Sequence, residues 1–416
     1  GDWYGIRFQN TAESSDSTIR HAIIQHTRYA VRLTSSSPLL EDVEIGLSTT
    51  YGIEGSARTG VPFSPTRVTV SNAGTPVGLS NVSGSWTDVT LEDSSGPAGT
   101  ISGGALDLRL VGLRVANNTG GGLITNIGGG GLEVILSEFV GNGITEPGLT
   151  VNGNGPRTLV ANDFESNAGG GLELNNDSSG WPVSAVYASN LEGNGGYALR
   201  MQTGSLPADA RRNWWGALNG EMGSYPANVS GIWDIHDDAA LRHVDFRENL
   251  GGALANDTDV KSYLVFPANG MNENEMVIYG GAVARAGIQR VEVSTDGGTT
   301  WSDATVEGAA FSMAWAPTPG TYTVQSRVTD MLGTMEVDPD EKIITIGSGP
   351  TLVGTMLDDE TWGGPGVIEL VGDVIVPAGT TLTIDPGTTV HAQYLTDGSY
   401  GGLDPSRIEI IVEGVL

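Results

Sequence analysis

Val115-Ala116-Asn117-Asn118, Phe139-Val140-Gly141-Asn142, Phe164-Glu165-Ser166-Asn167 and Leu191-Glu192-Gly193-Asn194 share one pattern: an apolar residue followed three positions later by asparagine. The copies are 24, 25 and 27 residues apart. A glycine-containing turn and a second apolar run follow each: GGGLIT (120–125), PGLTV (147–151), GGGLEL (169–174) and GYALRM (196–201). A fixed period in this range marks a stacked repeat. A unit of this size cannot bury its own apolar residues. It buries them on its neighbours and hydrogen-bonds its backbone to the coils above and below.

Read backwards, the series extends to Ile24, Ile45, Val70 and Leu91, at less regular steps of 21, 25 and 21. Eight coils at roughly 4.8 Å each predict a rod of about 40 Å. Asn118, Asn142, Asn167 and Asn194 are expected at sharp turns, since asparagine tolerates left-handed backbone. Each amide can also bond to its equivalent one coil away, so these four are read as an internal ladder.

The composition sets the function classes. The chain has 416 residues, enough for two or three domains. With no cysteine it can form neither disulfides nor thiolate metal sites. A net charge of −29, with lysine only at 261 and 342, argues against nucleic acid or anionic membrane as partners. No apolar stretch reaches the length of a membrane span. The opening GDWYGIRF lacks the charged start and apolar core of a signal peptide, and reads as mature or cut from something longer. High Gly, Thr, Ser and Asn with few lysines suits an extracellular or cell-surface protein. Sequons at Asn81, Asn117, Asn176, Asn228 and Asn256 are candidate glycosylation sites.

Three segments are expected. Residues 1–255 hold the coil array, closing at NWWG (213–216) and IWDIHDDAALRHVDF (232–246). Residues 256–347 alternate with period two in RVEVS (290–294), TWSDATV (300–306), FSMAW (311–315), TYTVQSRVTD (321–330) and EKIITI (341–346). DGG (296–298) signals a tight hairpin. Turn signals every 8–12 residues predict a small antiparallel sandwich of the immunoglobulin class. Residues 348–416 return to short strands and turns.

The stretch GDVIVPAGTTLTIDPGTTV (372–390), the strand IEIIVEGVL (408–416), the strand GDWYGIRF (1–8) and the closing NWWG together resemble exported prokaryotic right-handed parallel β-helix surface proteins, of the pectate-lyase-like superfamily. GIQRVEVSTDGGTTW (287–301) is similar to bacterial immunoglobulin-like modules. The resemblance implies an all-β chain: a right-handed parallel β-helix, an immunoglobulin-like β-sandwich, then the cap and first coils of a further β-helix. The order is unusual, because the opening elements of a helix lie at the C-terminus and their continuation at the N-terminus. An unpaired coil end is a sheet edge that templates addition of another strand. The expected function is therefore structural and non-enzymatic. The chain would be a subunit or tandem repeat of a head-to-tail filament, sheath or long adhesin, whose partners are other copies of itself. The expected subunit contacts are Trp3, Tyr4, Ile6 and Phe8 at one end and Ile408, Ile410, Val412 and Leu416 at the other.

An enzyme or glycan-binding protein is the alternative. Polygalacturonase-like enzymes use clustered aspartates in motifs such as NTD, GHG and RIK, which are absent. Pectate-lyase-like enzymes need Ca²⁺-binding carboxylates and a basic residue; there is no lysine before 261. Glu133, Glu138, Asp163, Glu165 and Glu173 read as scattered rather than stacked. Such a negative face would repel a polyanion. Trp86, Trp181 and Tyr187 are the aromatics expected on the flank of a glycan-binding rod, while Trp214 and Trp215 are expected to cover its end.

No cofactor and no catalytic or metal-ligating residue is assigned. Asp234, His236, Asp237, Asp238, His243 and Asp245 form the densest polar cluster, but turn capping and closure of the last coil are the stronger reading. His21 and His26, five apart on a strand, are expected on opposite faces. Structural calcium is a further expectation, at DPDE (338–341) or LTDGSYGGLDPS (395–406), neither of which matches an EF-hand.

Overall fold

The computed structural model describes residues 3–10, 16–104, 106–176, 184–204, 207–222, 227–255, 259–266, 277–315, 317–318, 320–346, 350–356, 358–364, 367–370, 372–392, 403 and 407–416. The chain divides into two compact units, Gly1–Asp257 and Thr258–Leu416. It is all-β apart from one short 3₁₀ turn, Gly216–Glu221, among the described residues.

The first unit is a parallel β-solenoid. Ten parallel strands stack in its first sheet, from Ile6–Phe8 through Tyr29–Thr34, Tyr51–Ser56 and so on to Ile232–Trp233. Eight coils were expected; there are ten rungs, because one short strand adds at each end. The other side begins as single long strands, Thr18–Gln25, Leu39–Gly46 and Thr66–Ser71. Beyond Thr66–Ser71 it forks into two rows of shorter strands. The fork needs a corner, supplied by left-handed residues at equivalent positions: Asp88, Gly112, Leu136, Ala161, Ala188 and Arg212. Five of these six are not glycine, so the stacked backbone above and below enforces the conformation.

The apolar column read from the sequence is continuous. Ile24, Ile45, Val70, Leu91, Val115, Phe139, Phe164 and Leu191 are successive register partners, and all eight are buried. The rings of Phe139 and Phe164 stack at 5.0 Å and 7°. Unequal spacing along the chain becomes equal spacing in space because turns absorb the extra residues.

In the second unit two four-stranded antiparallel sheets share one core. One holds Val260–Phe266, Val277–Ala284, Ala310–Ala314 and Thr305–Glu307; the other holds Ser302–Asp303, Ile288–Ser294, Gly320–Asp330 and Asp340–Ile346. Leu264, Ile278, Phe311, Val291, Val324 and Ile344 meet between them. The run 300–306, expected as one strand, is two that join different sheets. Strands 260–266 and 277–284 carry little alternation, being buried over most of their length. The DGG turn is held by Asp296, which accepts hydrogen bonds from the Thr300 amide (2.8 Å), the Thr300 hydroxyl (2.7 Å) and the Ser294 hydroxyl (2.8 Å). Those donors push its carboxyl down to about 2.

Past residue 350 pairing is parallel again. Val374–Val376 lies between Gly354–Thr355 and Ile410–Val412; Glu360–Trp362 pairs Leu382–Ile384, and Val367–Leu370 pairs Thr389–Ala392. These three short sheets enclose their own core around Trp362.

Candidate functional site: the exposed coil edges

The solenoid rests on its polar columns. Asn142 shows the rule. Its Nδ2 donates to the Val115 carbonyl (2.9 Å) and to Asn167 Oδ1 (2.9 Å), while its Oδ1 accepts from the Asn118 amide (3.2 Å) and Asn118 Nδ2 (3.1 Å). Asn167 and Asn194 repeat it, donating to the carbonyls of Phe139 and Phe164. Asn118 donates to that of Leu91. Thus each asparagine bonds the carbonyl of the apolar residue in the preceding coil, which explains why the two recur together. The ladder asparagines are not the left-handed residues. That role falls one position earlier, on Asn117, Gly141, Ser166 and Gly193, because the amide must point inward to reach its neighbours. A second polar column runs beside the first. Ser137, Asn162, Ser189 and Asn213 lie at the same intervals, and each passes a side-chain oxygen to the backbone amide one coil below.

Two of the parallel sheets present an edge strand among the described residues. Ile6–Phe8 is outermost in the ten-stranded sheet, with Ile6 over Val31, Arg7 over Arg32 and Phe8 over Leu33. Val31 and Leu33 are buried, while Ile6 and Phe8 are only half covered, because nothing among the described residues stacks on their outer side. Trp3 and Tyr4, 47% and 53% exposed, lie beside them. Trp3 Nε1 donates to the Gln25 carbonyl at 3.0 Å. Tyr4 ends a row of rings, 5.3 Å from Tyr29, which stacks at 6.4 Å on Tyr51. The guanidinium of Arg28 lies 5.4 Å from the Tyr29 ring and 5.9 Å from that of Tyr4.

Ile410–Val412 is outermost in its own parallel sheet. Val374 and Val376 below it are fully buried, yet Ile410 and Val412 are 38% and 41% exposed. Ile408 is half buried against the Trp362 core, and Leu416 is exposed. The two edges thus share a pattern: inward apolar residues two apart, Ile6 and Phe8 on one, Ile410 and Val412 on the other.

Other expected residues fall elsewhere. Trp86 is buried, with its Nε1 on the Phe63 carbonyl (3.1 Å) and its ring edge-on to Phe63. Tyr187 is buried, its hydroxyl donating to Asp209 (2.7 Å). Neither can meet a glycan, since an inward strand position outweighs aromatic character. Trp181 lies outside the described residues. Trp233 is exposed instead, and with Tyr197 it flanks Arg200, both rings 5.7 Å from its guanidinium. Tyr197 donates to Glu173 Oε2 (3.2 Å), and burial beside that carboxylate pushes the phenol up to about 12. Trp215 is packed into the end of the core, while Trp214 is half buried beside Asn190. His21 and His26 are both exposed rather than opposed, because each sits at a left-handed residue that resets the alternation. His21 Nδ1 lies 3.5 Å from Asp42.

Some of the acidic residues stack: Glu133 lies between Arg109 and Thr158, and Glu173 between Thr150 and Arg200, as scatter predicts, but two carboxylate pairs are in register. Glu138 pairs in register with Asp163, and Glu165 with Glu192. Both pairs lie one residue from the apolar column, at its own intervals of 25 and 27, so they were legible from the repeat. Burial, then Asp163, Glu192 and Glu138, raise the Glu165 carboxyl above its ordinary 4.5. The folded chain therefore holds more protons than the unfolded one just above pH 4.5, so this group's contribution to stability falls as pH rises through the window. The melting temperature is expected to rise between pH 7 and pH 5, and less steeply in Glu165→Gln, by differential scanning calorimetry at fixed ionic strength. Equal slopes would exclude Glu165 as a source.

Asn81, Asn117 and Asn228 are exposed. The Asn81 amide donates to Ser56 Oγ (3.0 Å) and that of Asn117 to Asp93 (3.3 Å). Asn176 ends the strand Leu172–Asn176, and Asn256 lies outside the described residues. In DPDE, Asp340 accepts the Leu264 amide (2.7 Å). Of the loop 395–406, only Leu403 is described. No helix among the described residues is long and apolar enough to cross a membrane.

No protein-family model matches the chain, and no curated protein matches it. Among solved structures, the Dettilon tailspike protein (gp208) aligns over 75% of this chain and 69% of its own, at 11% identity and a TM-score of 0.18. The sulfane dehydrogenase SoxCD from Paracoccus pantotrophus aligns over 19% of this chain, at 29% identity and a TM-score of 0.18. The aligned part spans 23% of that chain. At these TM-scores neither carries an argument, and the solenoid assignment stands on the strand pairings above.

Proposed function

We propose that the protein is an extracellular, non-enzymatic structural subunit or tandem repeat that assembles head to tail. In this reading the solenoid is right-handed and of the pectate-lyase-like type, the antiparallel sandwich is an immunoglobulin-like spacer, and residues 348–416 are the cap and first coils of the solenoid that the next copy continues. One observation carries it: two parallel edge strands, each leaving an apolar column half covered, with the same alternation. Stacking a second copy would set Ile6 over Ile410 and Phe8 over Val412, with Arg7 outward above Ile411. It would cover both columns and satisfy both rows of backbone amides and carbonyls. A heterologous contact of this kind builds a filament when it does not close into a ring.

Negative-stain electron microscopy and light scattering of the purified chain over a concentration series test this. Linear chains that lengthen with concentration are expected. Monodisperse monomers at the highest concentration would end the proposal.

A glycan-binding role is the second reading, favoured by the exposed Trp233 ring beside Arg200 and Tyr197. Glycan-array binding lost in Trp233→Ala would support it.

A further inference from the structure

We propose that Asp234, His236 and His243 form a site for a divalent transition metal. Asp234 follows the last strand of the first sheet, and His243 precedes Val244–Asp245, the last strand of one branch of the second. The loop spanning residues 234–243 folds the three side chains together. Asp234 Oδ1 lies 2.9 Å from His236 Nδ1, and Asp234 Oδ2 lies 3.9 Å from His243 Nδ1. One donor atom from each residue falls within 4.8 Å of the others. The two imidazole rings are 5.0 Å apart and inclined at 65°.

Zinc–nitrogen and zinc–carboxylate bonds of about 2.0–2.2 Å set tetrahedral donors about 3.3–3.6 Å apart. The two observed separations, each to a different carboxylate oxygen, lie on either side of that value, and the three donors, all within 4.8 Å of one another, would draw together around an ion. Two imidazoles and a carboxylate select zinc, cobalt, nickel or copper over calcium, which prefers oxygen.

The carboxylate is already aimed. The Val244 amide donates to Oδ2 (3.1 Å) and the His236 amide to Oδ1 (2.9 Å). These bonds make Asp234 a turn cap, as expected from the sequence. Capping accounts for the carboxylate but not for two imidazoles converging on it. Asp234 and His243 are buried, whereas His236 is at the surface, which leaves an entry side and an open coordination position. The rest of the sequence cluster is otherwise engaged. Asp237 and Asp238 accept backbone amides, and Asp245 pairs with Arg247 (2.7 Å). Bound metal would fasten the closing loop to the last coil.

Cobalt(II) titration of metal-stripped, tag-free protein tests the site, followed by visible absorption. A d–d band saturating at one equivalent and removed by zinc is expected. His236→Gln, at a surface position, should keep the wild-type circular dichroism spectrum while binding cobalt at least about 100-fold more weakly. No saturable band, or a His236→Gln protein that binds as the parent does, overturns the proposal.

Discussion

Asn142→Leu lowers the stability of the first unit by about 4 kcal/mol. The substitution conserves volume and adds apolar surface, so a rule based on hydrophobicity alone predicts the opposite sign. Its cost lies in the groups left behind. The Asn118 amide and Asn118 Nδ2 lose their shared acceptor, the Val115 carbonyl loses its donor, and Asn167 Oδ1 loses one of two. These groups are buried between stacked coils, where water cannot replace the asparagine. A stranded buried polar group costs about 1–3 kcal/mol, and partial relaxation brings three of them to the figure above. For a unit of this size the melting temperature falls by about 10 °C. Solenoid coils interact with nearest neighbours, so the damage starts locally. Hydrogen exchange should therefore accelerate first in the strands flanking residue 142, and only later at the ends. An unchanged melting temperature would show that the column contributes register and not stability.

Ile410→Asp prevents the chain from growing at one end only. The exposed side chain of Ile410 tolerates a polar replacement in the free subunit. In the assembled contact the carboxylate would be buried against an apolar column with no partner. The penalty is about 3 kcal/mol, or roughly a hundredfold in the association constant. Ile6→Asp acts in the same way on the other edge. Because the two edges differ, each single variant still has one working end. Added to wild-type protein, either one should cap growing chains and shorten them. The double variant Ile6→Asp/Ile410→Asp has no working end and should leave wild-type lengths unchanged. A pairing of like edges gives another result, since one single variant would then be inert and the other fully blocking. Length distributions from electron micrographs separate the two.

Much of the solenoid was legible because its physics is local and periodic. Val115, Phe139, Phe164 and Leu191 announce a buried column, and the asparagines three residues on announce what bonds its carbonyls. The strand around Trp86 misled for a related reason. An aromatic residue in a short strand looks the same whether it faces inward or outward, and only the corner at Asp88 decides which. Strands 260–266 and 277–284 were invisible to a search for alternation, because both faces are covered. Left-handed residues at His21 and His26 broke a face assignment that assumed unbroken pleating.

That the chain stacks, where its coils recur and which residues fill them can all be read from the residues in order. Repetition writes each contact many times, and copies reinforce one another. The fold alone showed which side chains meet outside the repeat: the Trp233–Arg200–Tyr197 row, and the convergence of Asp234, His236 and His243 within their polar cluster. Trp233, Asp234, His236 and His243 lie past the last repeat, where no interval along the chain places them, and backbone hydrogen bonding between coils sets Trp233 beside Arg200 in space.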